Sequence, residues 1–314
     1  MADPQAALLD RVRQHPEDWT NWLVFADWLT EQGDPRGELI GLEHRRALTS
    51  IDAHEKESLW QQITTLIKKH RHEWSATPLP ANCILDWRCG FILGARVDWD
   101  EEGFEALAHL LAHEDTRLLT RLQLRFSRPL NDEIFDETYD EDYQPPSIDP
   151  SHIEKLFDFD LKQIRMLDLS YNQLGDQGLS IAVQNLRFDA LTALDLRYTG
   201  IGDTAMNALS SSPWLSTLTT LHLHGNRIGP EGVRALAQST LLNHHIELID
   251  LRENPIGIMG ARALADSERL RKLEILRIHR NDIGTAGARA LSTSKYLPLR
   301  IRRYWAAWRH DHAS

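Results

Sequence analysis

The sequence has little cysteine, no long apolar run and no sign of a secretory signal. Only Cys83 and Cys89 are present among 314 residues, which makes a disulfide framework implausible and favours a reducing compartment. No window is apolar over the length of a membrane span. The first residues also lack the basic stretch and apolar run of a secretory signal. We therefore expect a soluble cytoplasmic protein with no membrane partner.

The signatures of common enzyme classes are also missing. There is no G-x-x-x-x-G-K-[ST] phosphate loop, no G-x-S-x-G nucleophile turn, no H-E-x-x-H zinc pair and no Cys-x-x-Cys. The formal net charge is -11, which argues against a general binder of nucleic acid or of anionic membranes. We predict a non-enzymatic protein with no catalytic residues, no metal and no cofactor.

What the sequence does contain is one pattern written five times between residues 164 and 291. Each copy begins with the alternating apolar residues of a half-buried strand. A turn residue, a Gly and a short Ala-rich helix follow. Aligned on the central apolar residue, the copies are 27, 27, 28 and 27 residues apart, at Leu167, Leu194, Leu221, Ile249 and Leu276. One unit cannot bury its apolar edge alone, so the units are expected to stack.

The turn position of each copy carries a residue able to bond buried loop backbone. The five are Asn172, Thr199, Asn226, Asn254 and Asn281. The pattern L-x-x-L-x-L-x-x-N-x-[LI]-G-x-x-G resembles the ribonuclease-inhibitor-like class of leucine-rich repeats, which includes the Ran GTPase-activating proteins. The resemblance implies an α/β fold, a right-handed solenoid with a curved parallel sheet on its concave side and helices on its convex side. Thr199 for Asn and Ala205 for Gly depart from the pattern in the second copy.

The N-terminal stretch is helical and carries no repeat. We predict helices from Pro4 to about Gln14, from about residue 17, over about 38–48 and over about 53–70. The run A-D-W-L-T-E-Q-G-D-P-R-G-E at residues 26–38 resembles the repeat-companion domain of bacterial proteins, whose role is not established. Its polar side chains form either a functional site or a capping network between helices. They are Asp27, Asp34, Arg36 and Glu38.

These patterns divide the chain into five segments. They are a helical module (1–75), degenerate capping repeats (76–130), an acidic insertion loop (131–150), five repeats (151–294), and a C-terminal cap and tail (295–314). The capping repeats consist of a strand over 87–99, a helix over 101–113 and a strand near Leu122. The acidic loop is either a solvated connection, a docking site for a basic segment or, with a poorer match, a calcium site. At the C-terminus we predict a closing strand, Leu299-x-Ile301, and an aromatic cap, with a nucleic-acid or anionic surface as the alternative.

Stacked strands allow the outward-facing residues to be aligned in columns across the sheet. The first column is Asp168, Asp195, His222, Asp250 and Arg277. The second is Ser170, Arg197, His224, Arg252 and His279, and the third is Tyr171, Tyr198, Gly225, Glu253 and Arg280. Solenoids usually bind along this surface, and Arg and Tyr are enriched at interface hot spots. All of these residues except Ser170 and Gly225 are therefore predicted to contact a partner on the concave face.

Three functions follow from these residues. The first is a scaffold or adaptor that binds a protein or peptide, with no nucleic acid involved. The second is a GTPase activator, by resemblance to the Ran-type proteins, with Arg125 and Arg197 as candidates by position. The third is a metal-dependent enzyme, in which His222 and His224 bind a transition metal with neighbouring carboxylates. Nothing in the sequence sets the oligomeric state.

Overall fold

The computed structural model describes residues 4–74, 82–99, 102–126, 148–189, 191–242 and 244–311. The chain forms two compact units, Met1–Val97 with Phe104–Arg121 and Asp98–Gly103 with Leu122–Ser314. The helices are α1 (Pro4–Gln14), α2 (Trp19–Glu31), α3 (Arg36–Ala47), α4 (Ala53–Trp74), α5 (Gly103–Ala112), α6 (Pro150–Lys155), α7 (Gly175–Asn185), α8 (Asp203–Ser210), α9 (Pro230–Gln238), α10 (Gly257–Ala265), α11 (Arg280–Ser292) and α12 (Leu299–Asp311). The strands are β1 (Cys83–Arg88), β2 (Phe91–Trp99), β3 (Arg121–Phe126), β4 (Met166–Asp168), β5 (Ala193–Asp195), β6 (Thr220–His222), β7 (Leu248–Asp250) and β8 (Ile275–Arg277).

The first unit contains the four predicted N-terminal helices. Helix α2 begins after Asp18, whose carboxylate accepts the backbone N–H of Thr20 and so satisfies a donor that the helix leaves unpaired. Its buried face is Trp22, Phe25 and Leu29, at the i, i+3, i+7 spacing of one helix side. Helix α4 continues to Trp74, one turn beyond the predicted end.

Helices α2 and α3 lie close together at Gly37. A β-carbon there would lie 2.7 Å from the carbonyl oxygen of Ala26 in α2, so the close approach requires glycine. The turn before α3 is closed by Asp34, which accepts the backbone N–H of Arg36 at 2.9 Å. The glycine and aspartate of the G-D-P-R-G run therefore have a structural role in this turn.

The region predicted as one strand over 87–99 is a hairpin, so that prediction was wrong. Strands β1 and β2 pair antiparallel, with Cys83 opposite Val97. The turn between them is Cys89-Gly90, with φ of 55° and 77°, a left-handed conformation in which a chain reverses tightly. The buried Cys89 thiol donates to Glu43, and burial raises the pKa of the thiol far above its usual range.

The five sequence repeats form one parallel sheet in the second unit, as predicted. Leu167 pairs with Leu194, which pairs with Leu221. The same register continues through Ile249 to Leu276. All five side chains are buried, so the repeat builds one continuous apolar core between the sheet and its helices.

The turn asparagines join each repeat to the one before it. The Asn226 amide donates to the carbonyl oxygen of Leu223 in its own repeat and to that of Leu196 in the previous repeat. Its oxygen accepts the backbone N–H groups of Thr199 and Ile201. Asn172 and Asn254 make the equivalent bonds. The predicted role of these side chains is confirmed at three of the four asparagines.

Asn281 does not follow this arrangement. It is exposed and lies in the first turn of α11, so the prediction for the fifth copy was wrong. The difference has a physical reason, since the asparagine bond forms between successive loops and the chain after β8 turns directly into helix.

Two further columns link the repeats, and sequence reasoning did not identify them. Asp203 accepts the backbone N–H groups of Gly229 and Gly232 at 2.7 and 2.8 Å, which caps the helix of the following repeat. Asp176, one repeat earlier, accepts the backbone N–H groups of Gly202 and Ala205 and so caps helix α8. Buried serine hydroxyls donate to carbonyl oxygens at the end of the preceding repeat's helix; they belong to Ser239, Ser267 and Ser294.

The C-terminus differs from its prediction. The predicted strand Leu299-x-Ile301 is part of helix α12. Ile301 and Trp305 are buried and Leu299 is exposed, which places the buried residues four apart on one helix side. Trp305 thus forms the predicted aromatic cap, but from a helix.

The structure describes the C-terminal end of the predicted acidic loop, residues 148–150. Ile148 is buried, and its N–H donates to the turn side chain Asn172. Asp149 caps α6. Ile148 is therefore bonded to the first of the five repeats as Ile201 and Ile228 are to the repeats that follow them. The rest of the loop, residues 131–147, lies outside the described residues.

Candidate functional site

The predicted binding residues lie on one surface of the second unit, which we call the strand face. It is the side of strands β4–β8, and of the turns that follow them, opposite the buried leucines. Asp195, His222, Asp250 and Arg277 stand next to one another across the paired strands. The strand face comprises Asp168, Ser170, Tyr171, Asp195, Arg197, Tyr198, His222, His224, Gly225, Asp250, Arg252, Glu253, Arg277, His279 and Arg280.

An aromatic stack forms one end of the strand face. The rings of Tyr171 and Tyr198 lie 5.0 Å apart with an interplanar angle of 21°. They remain 47% and 39% exposed. On its other side the Tyr198 ring meets His224 edge-on at 5.0 Å. Large, rigid, partly exposed aromatic groups are typical anchors of protein interfaces.

The hydroxyl of Tyr198 holds three repeats together. It lies 2.7 Å from Nε2 of His224 and donates to a carboxylate oxygen of Glu253 at 3.1 Å. Burial and the Glu253 carboxylate raise the pKa of Tyr198, so the hydroxyl keeps its proton at neutral pH and remains a donor. The ring is therefore fixed in place before any partner binds.

The third column has an unusual backbone. Tyr171, Tyr198 and Glu253 have φ of 61°, 52° and 53°, and Gly225 has 70°. The turn of each of the first four repeats therefore has a left-handed residue at this position, a conformation that glycine adopts with the least strain. A tyrosine or glutamate there costs on the order of 1 kcal/mol. The chain thus carries these side chains at three places where stability alone would favour glycine.

Aspartate–arginine pairs lie beside the stack. Arg197 donates through Nε to both oxygens of Asp195, at 2.9 and 2.8 Å. Arg252 pairs in the same way with Asp250, through Nε at 2.9 Å and Nη2 at 2.6 Å. Burial opposes ionisation of Asp250, but the hydrogen bonds from Arg252 and the charges of Arg252 and Arg277 outweigh it and lower the pKa.

The far end of the strand face is basic. Arg277 lies 3.5 Å from the same Asp250 carboxylate. Arg280 donates to the hydroxyl of Tyr304 at 2.9 Å and lies over its ring. His279 is exposed beside them. Tyr304, on α12, was not among the predicted site residues, because it was assigned to the C-terminal aromatic cap.

The metal hypothesis gains no support from this geometry. His222 and His224 share the strand face, but the neighbouring carboxylates of Asp195 and Asp250 are occupied by guanidinium groups. Within the described ranges, no group of three His, Cys, Asp or Glu side chains is placed to hold a metal ion. Burial lowers the pKa of His222, so this side chain is neutral at pH 7.

The polar residues of the N-terminal motif do not form one cluster. Arg36 pairs with Asp34 at 2.7 Å and lies over the Phe91 ring at 4.4 Å. Asp27 and Glu38 are exposed. A cavity of about 210 Å³ lies beside this pair, lined partly by the stacked rings of Phe25 and Trp28. The Asp34–Arg36 pair matches the capping interpretation of the motif.

Comparison with known proteins bears on the repeats. A family model described as a leucine-rich repeat matches residues 164–180, 191–210, 215–237 and 269–292. These matches support a leucine-rich repeat protein. No curated protein matches the chain. The parallel sheet and the helix in each repeat fit a leucine-rich repeat solenoid.

The repeat class has a bearing on function. Leucine-rich repeats are typical interaction modules, which suggests a role in protein–protein interaction. In the part of the chain that the structure describes, no helix combines the length and apolar character needed to cross a membrane. The side chain of Arg125, a predicted GTPase-activator candidate, lies outside the described residues, and Arg197 is paired with Asp195.

Proposed function

We propose that this chain is a bacterial cytoplasmic adaptor without enzymatic activity, which binds a protein or peptide on the strand face of a right-handed solenoid. The observation that carries the proposal is the exposed Tyr171–Tyr198 stack. Tyr198 is held by His224 and Glu253, so little side-chain entropy is lost when a partner covers it. The companion-like N-terminal unit would supply a second contact.

The backbone conformation supports the same function. Left-handed tyrosines at positions 171 and 198 cost stability that glycine would not, and such strain concentrates at binding sites. The aspartate–arginine pairs beside them present guanidinium groups in fixed orientations. Fixed aromatic and guanidinium groups are the side chains most enriched in interface hot spots.

The GTPase-activator alternative has less support. An arginine that stabilises a transferring phosphoryl group must reach outside its own protein. Arg197 is instead hydrogen-bonded to Asp195 through both carboxylate oxygens. Its charge is thus balanced within its own repeat.

Site-specific photocrosslinking in the native cell tests the proposal. A benzophenone amino acid replaces Thr220, on strand β6, or Arg234, on helix α9. Crosslinked proteins are then quantified by mass spectrometry. We expect specific adducts at position 220 and not at position 234. Tyr171→Ala with Tyr198→Ala should reduce the adducts at 220 by about tenfold or more, since hot-spot residues contribute at least 1–2 kcal/mol each.

Ile258→Ala with Met259→Ala is the matched control. Both side chains are exposed on α10, so this variant also removes exposed apolar area, but from a helix. Equal amounts of adduct in the wild type and in both double variants would show that the partner does not bind through the tyrosines of the strand face. GTP hydrolysis by a panel of small GTPases, if stimulated by the wild type and not by Arg197→Ala, would favour the alternative.

A further inference from the structure

The strand face separates its charges by depth. The aspartate carboxylates lie at its base, where Asp168 is buried and Asp250 is only 1% exposed. The guanidinium groups extend above them, and the side chains of Arg252 and Arg277 are 43% and 45% exposed. The formal charges of the strand face are balanced, but its exposed charged groups are arginines and a single carboxylate, that of Glu253.

At strands β7 and β8 the exposed arginines outnumber their carboxylate ion-pair partners. Asp250 is the carboxylate that pairs with both Arg252 and Arg277, so these two guanidinium groups share one ion-pair partner. Arg280 bonds to the neutral hydroxyl of Tyr304. No ion pair of Arg280 with a carboxylate occurs among the described residues. Two other carboxylates lie nearby: the exposed Glu253, which accepts the Tyr198 hydroxyl, and the half-buried Asp282 beside His279.

We infer that the partner on the strand face is an acidic, extended peptide segment. Its carboxylates would lie against Arg252, Arg277 and Arg280, and an apolar or aromatic side chain would cover the Tyr171–Tyr198 stack. This inference rests on the proposed binding function and specifies the chemistry of the partner. Carboxylates meet arginine in a bidentate geometry that favours exposed guanidinium groups over lysine.

The strand spacing sets the distance between the two halves of the site. Tyr198 follows β5 and Arg277 ends β8, three strands away. Neighbouring strands are about 4.8 Å apart, which gives about 14 Å, or about four residues of an extended chain. The peptide should therefore place acidic residues three to five positions from its apolar or aromatic residue.

Nucleic acid fits this surface less well. The chain carries a net charge of -11, which repels a long polyanion beyond the local patch. A nucleic acid would also place phosphates along the whole strand face, including beside Glu253 and the Tyr198 hydroxyl. Two or three carboxylates at one end match the exposed guanidinium groups of Arg252 and Arg277 there.

Selection from a random twelve-residue displayed peptide library on the immobilised full chain tests the inference. We expect enriched sequences to contain Asp or Glu three to five positions from an aromatic or large apolar residue. A fluorescein-labelled peptide of the enriched sequence should bind at least about tenfold more weakly to Arg277→Gln/Arg280→Gln. Its affinity should also fall as salt rises from 50 to about 200 mM, since the exposed charges are screened.

Arg262→Gln/Arg289→Gln is the matched control. It removes the same charge from exposed positions on α10 and α11 and should leave binding unchanged. Enriched peptides without acidic residues that still require Tyr171 and Tyr198 would overturn the inference and leave the proposed function standing. Failure to select any peptide that depends on the strand face would overturn both. Binding of a 20-nucleotide single-stranded DNA with the same arginine dependence would replace the peptide by nucleic acid.

Discussion

The ring of Tyr198 lies directly against Gly225 of the next repeat. A β-carbon at position 225 would overlap the ring, and Gly225 itself has a φ of 70°. Because Gly225 has no side chain, the Tyr198 ring of the preceding repeat can occupy the space beside it. In this way one glycine supports both the turn and the aromatic site.

Gly225→Ala is expected to lower the free energy of unfolding and displace the Tyr198 ring. The left-handed backbone costs on the order of 1 kcal/mol for alanine, and the overlap adds about 1–3 kcal/mol. Gly200→Ala is the matched control, since Gly200 has a φ of 69° with only the Arg227 side chain near, at 3.9 Å. Urea denaturation measures both. Equal losses would show that the Tyr198 ring exerts no constraint on position 225.

Asn226→Ala is expected to cost at least about 3 kcal/mol of unfolding free energy. The side chain is buried and bonds two carbonyl oxygens and two N–H groups, each of which costs about 1–3 kcal/mol when left unpaired. Asn281→Ala at the matching position of the last repeat should change stability by less than about 0.5 kcal/mol, since Asn281 is exposed. A cost at position 281 similar to that at 226 would contradict this explanation.

Ser267→Ala should destabilise the protein by about 1–2 kcal/mol. Its buried hydroxyl donates at 2.6 Å to the Ala237 carbonyl of the preceding repeat, and removing the donor leaves that buried oxygen unpaired. Ser292→Ala removes a comparable bond, to Arg289 within its own helix, from a half-buried position. Thermal and urea unfolding should show a clear loss for the first variant only.

The stability of the second unit should depend on pH through His222. Burial lowers its pKa in the folded state, whereas the unfolded chain binds a proton near pH 6.5. As pH falls below about 6.5 the unfolded state takes up the proton first, so stability declines until the folded pKa is also passed. The difference between the urea midpoints at pH 7.5 and at pH 5.5 should therefore be smaller for His222→Asn than for the wild type. Equal separation would show that His222 titrates alike in both states.

The sequence was sufficient for the repeat architecture. Leu167, Leu194 and Leu221 were assigned to adjacent strands from spacing alone, and the register places them opposite one another. Three turn asparagines have the role predicted from their chemistry. The serine column at 239, 267 and 294 could also have been found, because it repeats with the same period.

Two local predictions failed where neighbouring elements decided the conformation. Leu299-x-Ile301 alternates like a strand, yet the buried residues Ile301 and Trp305 lie four apart on one side of helix α12. The segment 87–99 reads as one apolar strand, but Cys89 and Gly90 adopt the left-handed turn of a hairpin. Short apolar runs do not distinguish such alternatives until packing is known.

The sequence by itself determined which residues stack and which point away from the core, because a fixed period repeats the same environment in each copy. Only the tertiary structure decided which polar residues are accessible. Asp250 and Arg252 occupy equivalent outward positions, yet the carboxylate is buried and the guanidinium is exposed. A short side chain stays at the base of the sheet, whereas a long one passes over it and carries its charge to the surface.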